Sequence, residues 1–502
     1  MAQQFYPIDL KEATFPMLSQ LQGRTIIGAS IGRAPNQDER PGIAYCHNIM
    51  PSKEGLNSVA YLPIVDPMSP TAVAPFSDVR IAYSTDLARL YLVWDSVGSV
   101  FALTAGSTAW VAVPATAPAT GGVGFDPDSV TIGTVNGVSY IFYSGIGAFS
   151  YNAGTNTLDA VTLTGLTISS ILGITDSAGY LVAYSDLAIA WSSTIDPTDF
   201  VPSAVTGAGG GNVAGIAGKI QFIISNTLGM LVFTKANTLA GTFTGNVQFP
   251  WKFRAVPDSS GGISLDLVAY EAQGDRQFIF SKAGLQSITS QRAEIMLPEV
   301  TDFLSGKRFE DFNETTKLYE VTDITTTMKK KLKFIAARYL VISYGMTAFT
   351  HAIVIDLALN RIGKLKIDHT DCFEYVDEQI EIAKESMAFL LSDGSVSVLD
   401  FSAAAVSSGV LIMGKLQGSY TRNMNLLGVE VQNTAEADVL TVTDQASLDG
   451  KNFTNVEGSL AYSNEDVREY VFRSDAKNHT LVFIGKINAV TLMVRYANTS
   501  KR

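Results

Sequence analysis

Few residues in this 502-residue chain are spaced in a way that could support chemistry. Gly28-Ala29-Ser30-Ile31-Gly32 has the letters of a nucleophile elbow, a motif that needs a strand before the serine and a helix after it. The residues that follow, Arg33 to Asp38, predict a loop. The glycine-rich segment 207–218 ends at Lys219, but Val213 and Ile220 stand where a phosphate loop needs Gly and Ser or Thr. Neither pattern predicts a catalytic or nucleotide-binding site.

The histidines and cysteines are too scattered to predict a metal site. None of the four histidines has a partner at the spacing that zinc sites use; they are His47, His351, His369 and His479. The nearest approaches are Cys46-His47 and the pair His369 and Cys372. If the fold brings Cys46 and Cys372 together, one disulfide or a shared metal site can form; otherwise they are ordinary buried or surface residues. Asp126 with Asp128, and Asp449-Gly450, lack the twelve-residue loop that calcium requires.

The sequence offers no residues on which an enzymatic function could be based. A glycosidase needs a pair of carboxylates at a set separation, and no pair can be chosen among 48 acidic residues without geometry. We therefore expect no enzymatic activity and no cofactor. The lysine run Lys329-Lys330-Lys331, with Lys333 just beyond it, is a candidate phosphate contact, and a solvated strand end is the alternative.

The composition predicts a large, acidic, β-rich soluble protein. Hydrophobic residues make up 46% of the chain, which is enough to fill a core and excludes a disordered tail. We find no run of about 18 apolar residues that predicts a membrane span, and no basic patch before an apolar run that predicts a secretory signal. The net charge of −12 argues against a general duplex-binding protein.

The charge is unevenly distributed along the chain. No lysine or arginine lies between Arg89 and Lys219, whereas this interval holds eight acidic residues: Asp95, Asp126, Asp128, Asp159, Asp176, Asp186, Asp196 and Asp199. One interpretation is a Ser/Thr/Gly-rich β surface kept soluble by sparse aspartates. The other is a surface that must stay near nucleic acid without binding it, because a surface without cations cannot condense onto phosphates.

A two-strand unit recurs seven times between residues 80 and 401. Each unit has two short runs rich in Val, Ile, Phe and Tyr, often separated by Gly, Asp, Asn or Ser. The paired runs are 90–94 with 100–103, 140–143 with 148–151, 180–184 with 187–191, 220–224 with 230–233, 277–280 with 285–288, 339–342 with 352–355, and 387–391 with 396–399. The period of about 40 to 60 residues is typical of β-propeller blades.

Radial closure would bury both faces of each small sheet and leave only short edges. The weaker apolar runs 129–132 and 169–172 are predicted inner strands. One of two N-terminal runs, 43–45 or 58–62, is predicted to close the ring against the last blade. Two stacked β-sandwiches are the alternative architecture.

Two further segments differ from the propeller pattern. Residues 291–335 are long and charged, and Pro298-Glu299 predicts a helix start that would place Val300, Phe303 and Leu304 on one face. We interpret them as an insertion between blades five and six, either a subunit contact or a surface loop. Beyond Ser407 about six closely spaced strands predict a small antiparallel sandwich. The predicted fold is therefore all-β: an N-terminal arm with a ring-closing strand (1–79), a propeller of about seven blades (80–405), and a C-terminal sandwich (406–502).

The third unit ends in a distinctive stretch, Trp191-Ser192-Ser193-Thr194-Ile195-Asp196-Pro197-Thr198-Asp199-Phe200. Its aspartates and Pro197 predict a tight turn, across which Trp191 and Phe200 are expected to pack. This W-S-x-x-x-D-P-T-D-F pattern resembles one that recurs in tail hub or nozzle proteins of short-tailed bacteriophages, also called DNA-stabilisation proteins. The C-terminal stretches 446–453 and 477–483 resemble that group more weakly.

The resemblance implies a structural virion protein. Such proteins are expected to form a ring of six copies below the portal and adaptor; the ring extends the DNA channel, retains packaged DNA and carries fibres or a needle. No catalytic or cofactor residues come with the family. It implies assembly in the host cytoplasm, which the sparse cysteines suit, proximity to phage duplex DNA without specific binding, and no membrane anchor. Part of segment 90–218 would then face the DNA channel.

Two rival functions come from different classes. A receptor- or glycan-binding tail spike would use exposed aromatic residues on the loops and would be a trimer. A propeller glycosidase would cluster carboxylates at the central axis.

Overall fold

The structure is a computed structural model. It describes residues 4–9, 43–53, 55–68, 76–84, 89–104, 106–114, 129–246, 248–270, 274–313, 315–376, 386–400, 409–413, 416–417, 424–433, 440–448, 454–463 and 467–498. The described part is almost entirely β, as the alternating apolar runs predict. Five strands precede the propeller: β1 (Gln4–Asp9), β2 (Ile43–His47), β3 (Ile49–Pro51), β4 (Leu56–Ser58) and β5 (Ala60–Val65).

Seven antiparallel blades of four strands form a β-propeller; six of them are separate sheets, and the sixth blade is part of a larger sheet. The first four blades are β6 (Ser77–Tyr83), β7 (Arg89–Trp94), β8 (Val100–Thr104) and β9 (Val111–Val113); β10 (Val130–Val135), β11 (Val138–Tyr143), β12 (Gly147–Asn152) and β13 (Thr157–Val161); β14 (Gly173–Ser177), β15 (Tyr180–Tyr184), β16 (Ala188–Trp191) and β17 (Gly209–Asn212); and β18 (Ile220–Asn226), β19 (Gly229–Thr234), β20 (Thr238–Phe243) and β21 (Trp251–Ala255). Within each of these blades, strands that are consecutive in the chain are hydrogen-bonded neighbours.

The fifth blade is followed by an insertion, and then by the last two blades. These elements are β22 (Val268–Tyr270), β23 (Gln277–Ser281), β24 (Gly284–Ile288) and β25 (Ala293–Ile295); then α1 (Pro298–Ser305), β26 (Arg308–Asn313) and β27 (Leu318–Asp323); then β28 (Lys329–Ile335), β29 (Tyr339–Gly345), β30 (Phe349–Asp356) and β31 (Arg361–His369); and finally β32 (Asp371–Tyr375), β33 (Ser386–Leu390) and β34 (Val396–Asp400).

The ring is closed by a strand from before the first blade. β5 pairs antiparallel with β34 and supplies the fourth strand of blade seven, with Leu62 opposite Val398 and Tyr61 opposite Leu399. The first strand of blade seven, β32, in turn packs against the first strand of blade one, β6. The propeller of about seven blades is confirmed, and of the two N-terminal runs predicted as closing strands the structure uses the second. Because the closing strand comes from the other end of the propeller sequence, opening the ring requires breaking a β-ladder.

All seven predicted strand pairs lie in the blades. In six blades they are the second and third strands, and in blade four they are the first and second, β18 and β19. Of the two predicted inner strands, 129–132 is correct because β10 starts at Val130. The prediction for 169–172 was wrong: residues Ile168–Ser170 form a 3-10 turn, and the inner strand starts at Gly173. The Ser170 hydroxyl donates to the Thr167 carbonyl at 2.7 Å and stabilises that turn.

The insertion between blades five and six is shorter than predicted. β25 is the outer strand of blade five and β28 the inner strand of blade six, so the predicted bounds 291–335 included two blade strands. Helix α1 begins at Pro298 as predicted, and Val300, Phe303 and Leu304 are buried on one face. They pack with residues of blades five and six in one hydrophobic cluster. Hairpin β26–β27 follows and lies between the propeller and the C-terminal domain.

The C-terminal domain is the predicted antiparallel sandwich, completed by strands from the N-terminal segment. Its own strands are β35 (Gly409–Met413), β36 (Leu416–Gln417), β37 (Met424–Asn433), β38 (Leu440–Ser447), β39 (Thr454–Glu457), β40 (Ser459–Ser463), β41 (Val467–Ala476), β42 (Asn478–Gly485) and β43 (Asn488–Asn498). One sheet has the order β2-β35-β42-β38-β39, with β36 beside β42; the other contains β4-β43-β37-β41-β40, with β1 beside β43. Apolar side chains of both sheets interdigitate in one core.

The sandwich is hydrogen-bonded directly to the propeller. β3 pairs with β4 on one side and, through Ile49 opposite Lys364, with β31 of blade six on the other. The second sheet of the sandwich is therefore a continuation of blade six. The N-terminal segment 1–79 is accordingly not a separate arm, since its strands are divided between sandwich, blade seven and blade one.

Candidate functional site

The third-blade turn, residues 192–200, is held by its own short polar side chains. The Ser193 hydroxyl accepts from the backbone N–H of Ile195 at 3.0 Å, and Asp196 Oδ1 accepts from the N–H of Thr198 at 2.9 Å. The Asp199 N–H donates to the Asp196 carbonyl at 3.1 Å and closes the turn around Pro197. Asp196, Pro197 and Asp199 therefore form the predicted turn by satisfying its backbone groups.

Trp191 and Phe200 lie on opposite faces of blade three, so the prediction that they pack across the turn was wrong. The Trp191 ring is in edge contact with Phe249 and Trp251 of blade four, and its Nε1 donates to the Gly207 carbonyl at 2.8 Å. Phe200 is buried in a different cluster, between blades two and three. Its N–H donates to Thr164 in the loop after blade two, at 2.8 Å. The signature residues thus join blade three to both neighbours.

The glycines that follow serve packing. Segment 207–218 supplies the outer strand β17, which pairs with β16 so that Gly209 lies opposite Trp191. A Cβ atom at Gly209 would lie 2.7 Å from the Trp191 ring, and one at Gly211 would lie 2.7 Å from the Phe249 ring. Only glycine allows these rings to lie against the strand. The glycines are evident in the sequence, whereas the aromatic residues that require them become evident only in the fold.

The lysine run separates into three environments. Lys329 is exposed. Lys330 lies over the Phe280 ring, with its Nζ 5.2 Å from the centroid. Lys331 is buried and ion-paired with Asp78 and Asp371. The prediction of a phosphate contact is therefore wrong for Lys331, because its ammonium group is buried and already paired with two carboxylates.

We call Asp78, Lys331, Lys333 and Asp371 the inner ion cluster. They lie on the first strands of blades one, six and seven, where the ring closes. Lys331 Nζ is 3.2 Å from Asp371 Oδ1, and Lys333 Nζ is 3.2 Å from Asp371 Oδ2. Asp371 Oδ2 also accepts from the backbone N–H of Val79 at 2.8 Å. The buried carboxylate of Asp371 in blade seven thus connects to blade six through the two lysines and to blade one through the Val79 N–H.

Burial and charge act in opposite directions in this cluster. Burial lowers the pKa of Lys331 to about 8, although the Asp371 charge acts to raise it. Burial alone would raise the pKa of Asp371, but the charges of Lys331 and Lys333 and the Val79 N–H outweigh it and hold that pKa below its ordinary value. Removing Lys331 would leave two buried carboxylates that are paired only with the partly exposed cations Arg80 and Lys333, so the loss of this one ion is costly.

We expect Lys331→Met to destabilise the protein by about 3 to 5 kcal/mol, because Asp78 and Asp371 lose their shared cation in a buried site. Lys329→Met, two residues earlier on the same face of β28 but exposed, should change stability by less than about 0.5 kcal/mol. Urea unfolding followed by tryptophan fluorescence measures both. Adding Asp78→Asn to Lys331→Met should recover part of the loss, and equal midpoints for the Lys331 and Lys329 variants would contradict this role.

The two cysteines lie apart, each buried with a free thiol. Cys46 packs in the sandwich core and Cys372 between blades six and seven, so they form neither a disulfide nor a shared metal site. Burial raises the pKa of each thiol to about 12. Within the ranges given above, no group of three or more His, Cys, Asp or Glu side chains is arranged to hold a metal ion.

Where hairpin β26–β27 meets blade six and the sandwich, polar side chains that the sequence did not connect come together. Lys366 Nζ donates to Asp311 Oδ1 at 2.7 Å and to the Phe312 carbonyl at 3.2 Å. His351 Nε2 lies 3.5 Å from the same Asp311 oxygen. Burial, followed by the charge of Lys366, lowers the pKa of His47 in this region to about 3. His47 is therefore neutral at physiological pH.

His479 in the sandwich is held as a cation. Its Nδ1 is 2.7 Å from Asp444 Oδ2, and its Nε2 is 2.9 Å from the Met424 carbonyl and 3.2 Å from the Ala476 carbonyl. All three partners are acceptors, so both ring nitrogens must donate. Burial alone would lower the pKa of His479, but the hydrogen bond and charge of Asp444 outweigh it, and the pKa is raised above 6.5.

Because the pKa of His479 is raised on folding, its stabilising effect is complete below pH 6.5 and is lost as pH rises through the folded-state pKa. We expect the free energy of unfolding to fall over that interval. His479→Gln should lose about 1.5 to 3 kcal/mol at pH 6 and abolish this part of the pH dependence. Chemical denaturation at a series of pH values tests both, and an unchanged pH profile in His479→Gln would contradict the assignment.

The acidic residues of the cation-free segment have different roles. Asp95 is buried and its Oδ1 accepts from the N–H groups of Val97 and Ser99. Asp176 accepts from Thr134 N–H at 3.1 Å, and Asp186 forms an ion pair with Lys219. Asp159, Asp196 and Asp199 reach the surface. The described surface of blades two and three therefore combines sparse carboxylates with no cation of its own.

Three sequence motifs fall outside the described residues: Gly28 to Gly32, Asp126 with Asp128, and Asp449-Gly450. In the part of the chain that the structure describes, no helix has the length and apolar character needed to span a membrane.

Comparison with known proteins does not assign the chain to a family. No family model matches the chain, and no curated protein does. Similar solved structures include YCF48 bound to D1 peptide, at 9% identity and a TM-score of 0.40, covering 67% of this chain and 98% of that one. The WD40 β-propeller domain of Doa1 has 9% identity and a TM-score of 0.39, over 68% and 97%. The extracellular domain of the putative hybrid two-component system BT3049 from B. thetaiotaomicron has 11% identity and a TM-score of 0.38, over 82% and 49%.

Proposed function

We propose that this chain is a structural subunit of the tail of a short-tailed bacteriophage, in which it forms the hub or nozzle that extends the DNA channel and retains packaged DNA until ejection. The observation that supports this most is the surface of blades two and three, which lies within the interval from Arg89 to Lys219 that has no lysine or arginine. The turn from Trp191 to Phe200, on which the family resemblance rests, joins blades two, three and four and so belongs to the framework.

A channel wall for DNA has particular electrostatic requirements. Each cation that pairs with a phosphate releases counterions and strengthens binding, so a lysine-rich wall would hold DNA through many weak contacts. A wall with only carboxylates repels the phosphates and lets the duplex slide. The surface of blades two and three meets this requirement, because the nearest cation in the sequence, Lys219, is ion-paired with Asp186.

A nozzle must also withstand the pressure of packaged DNA. The strand-closed ring, the inner ion cluster and the continuous sheet that joins blade six to the sandwich all favour a stiff building block. In this proposal six copies form a ring below the portal and adaptor and carry fibres or a needle. The subunit assembles in the host cytoplasm, resides in the virion tail and uses no cofactor or catalytic residue.

The assembly part of the proposal is tested with the purified full-length chain and portal–adaptor complexes of the phage that encodes it. We expect co-assembly into particles whose mass corresponds to six added copies. Portal without adaptor is the control and should bind no copies. A trimer that binds a host surface glycan and ignores the portal–adaptor complex would contradict the nozzle and favour the tail-spike alternative.

The electrostatic part is tested by adding cations at exposed positions. We expect Ala160→Lys, Thr162→Lys and Leu187→Lys, combined on blades two and three at exposed positions, to create salt-sensitive duplex binding and to slow DNA ejection from reconstituted tails. Each added phosphate contact should steepen the logarithmic salt dependence by about 0.9. The matched control combines Ala283→Lys, Ala348→Lys and Ala358→Lys on blades five and six, at positions that are also exposed. If both triple variants eject DNA at the same rate, blades two and three do not face the channel.

A further inference from the structure

The third-blade turn and the residues just after it display two apolar side chains that lie outside the core. Ile195 and Val205 are 77% and 90% exposed. They are neighbours in space, because Thr194, just before Ile195, donates its N–H to the carbonyl of Thr206, just after Val205, at 3.1 Å. We call Ile195 and Val205 the third-blade knob. Burying them against a partner would remove apolar area that the folded monomer leaves in water.

The knob is rigid before any partner binds. The Ser193 hydroxyl accepts from the Ile195 N–H at 3.0 Å, and the Ser203 hydroxyl accepts from the Val205 N–H at 3.2 Å. The loop that carries the knob is fixed at two places. Phe200 is buried between two blades, and the Trp191 Nε1–H donates a hydrogen bond to the Gly207 carbonyl. Little conformational entropy is therefore lost when the knob is bound, which is the property of a good docking residue.

The charge around the knob identifies the chemistry of its partner. Asp196 and Asp199 lie beside it on the same loop, and the chain from residue 90 to residue 218 has no cation. A complementary surface must therefore offer an apolar contact surrounded by positive charge.

The outer edge of blade five has this combination. Ile295, on the outer strand β25, is 62% exposed. Two arginines contact the hairpin that carries it and a third belongs to it; against these three cations stand two carboxylates, Asp275 and Glu294, so the edge keeps an excess of positive charge. Arg276 Nε donates to Ser287 Oγ at 2.8 Å, Arg254 Nη2 donates to the Ser290 carbonyl at 2.8 Å, and Arg292 is ion-paired with Glu294 at 2.7 Å. We call Ile295 with Arg254, Arg276 and Arg292 the fifth-blade rim.

We propose that the third-blade knob of one copy docks on the fifth-blade rim of the next copy. This inference rests on the proposed ring and names the surfaces that build it. The two surfaces lie on different blades, so the contact is heterologous and each copy offers a free knob and a free rim until the ring closes. The knob is the centre of a wider interface, since a stable contact buries about 800 Å² on each partner.

Cross-linking tests the pairing directly. The variants are Ile195→Cys, Ile295→Cys and the double variant, each treated with a bifunctional maleimide. The wild-type chain is the control, because Cys46 and Cys372 are buried and their pKa values of about 12 keep the thiols protonated. We expect a ladder of covalent multimers from the double variant, dimers only from an equal mixture of the two single variants, and monomers from each single variant alone. Dimers from one single variant alone would show a self-complementary contact and overturn the proposal.

Charge and apolar substitutions test the energetics. Ile195→Asp should convert the ring to monomers in light scattering, and Val97→Asp, at an exposed apolar position of blade one, should leave the ring intact. Combining Arg276→Glu with Arg292→Glu should also weaken the ring, and adding Ala204→Arg, at an exposed position beside Val205 that leaves the turn aspartates in place, should restore part of it. A ring that survives Ile195→Asp overturns this inference and leaves the nozzle proposal standing. A ring that forms through the knob but ignores portal–adaptor complexes overturns the nozzle proposal alone, and a wild-type chain that stays monomeric at all concentrations overturns the inference.

Discussion

The pairing of β5 with β34 is the constraint on which the rest of the propeller depends. Seven small sheets can bury both of their faces only if the last packs against the first, and the chain ensures this by building blade seven from both ends of the propeller sequence. The inner ion cluster strengthens the same junction from the axial side, where Asp371 bonds blade six through two lysines and blade one through the Val79 N–H.

Most of the chemically active side chains are used in packing at element junctions. Lys331, His479 and the free thiol of Cys372 are buried, each at a place where two sheets or two blades meet. A buried polar group stabilises a junction only in one geometry, since its hydrogen bonds are directional and its desolvation must be compensated. The chain therefore uses polar residues to determine how its sheets are joined and apolar residues to hold them together.

Charged and apolar side chains are distributed unevenly over the surface. Blades two and three carry exposed carboxylates and the rigid apolar knob, whereas the edge of blades four and five carries arginines around Ile295. This asymmetry does not stabilise a single propeller, because the two surfaces are on different blades and cannot contact each other within one chain. In an assembly of identical copies, the same asymmetry sets a direction, which is the property that our proposals for the function and for the copy-to-copy contact use.

Repeated local patterns were sufficient to predict the architecture. Alternating apolar runs at a recurring spacing indicated seven blades, and two N-terminal runs were candidates for the closing strand. Pro298 marked the start of α1, and dense strands after Ser407 indicated the sandwich. Each of these follows from local periodicity, which a sequence carries in full. The turn around Pro197 was equally local, because its stabilising side chains lie within a few residues of one another.

Only the tertiary structure decided which distant residues meet. Asp78 and Asp371 lie at opposite ends of the propeller sequence, so no spacing rule could pair them with Lys331, and the lysine run therefore resembled a surface patch. Trp191 and Phe200 are close in sequence but face different neighbouring blades, and the strands of segment 1–79 are divided among four sheets. Periodicity determines which residues form strands, whereas ring closure and long-range pairing determine their partners, because those contacts depend on the path of the whole chain.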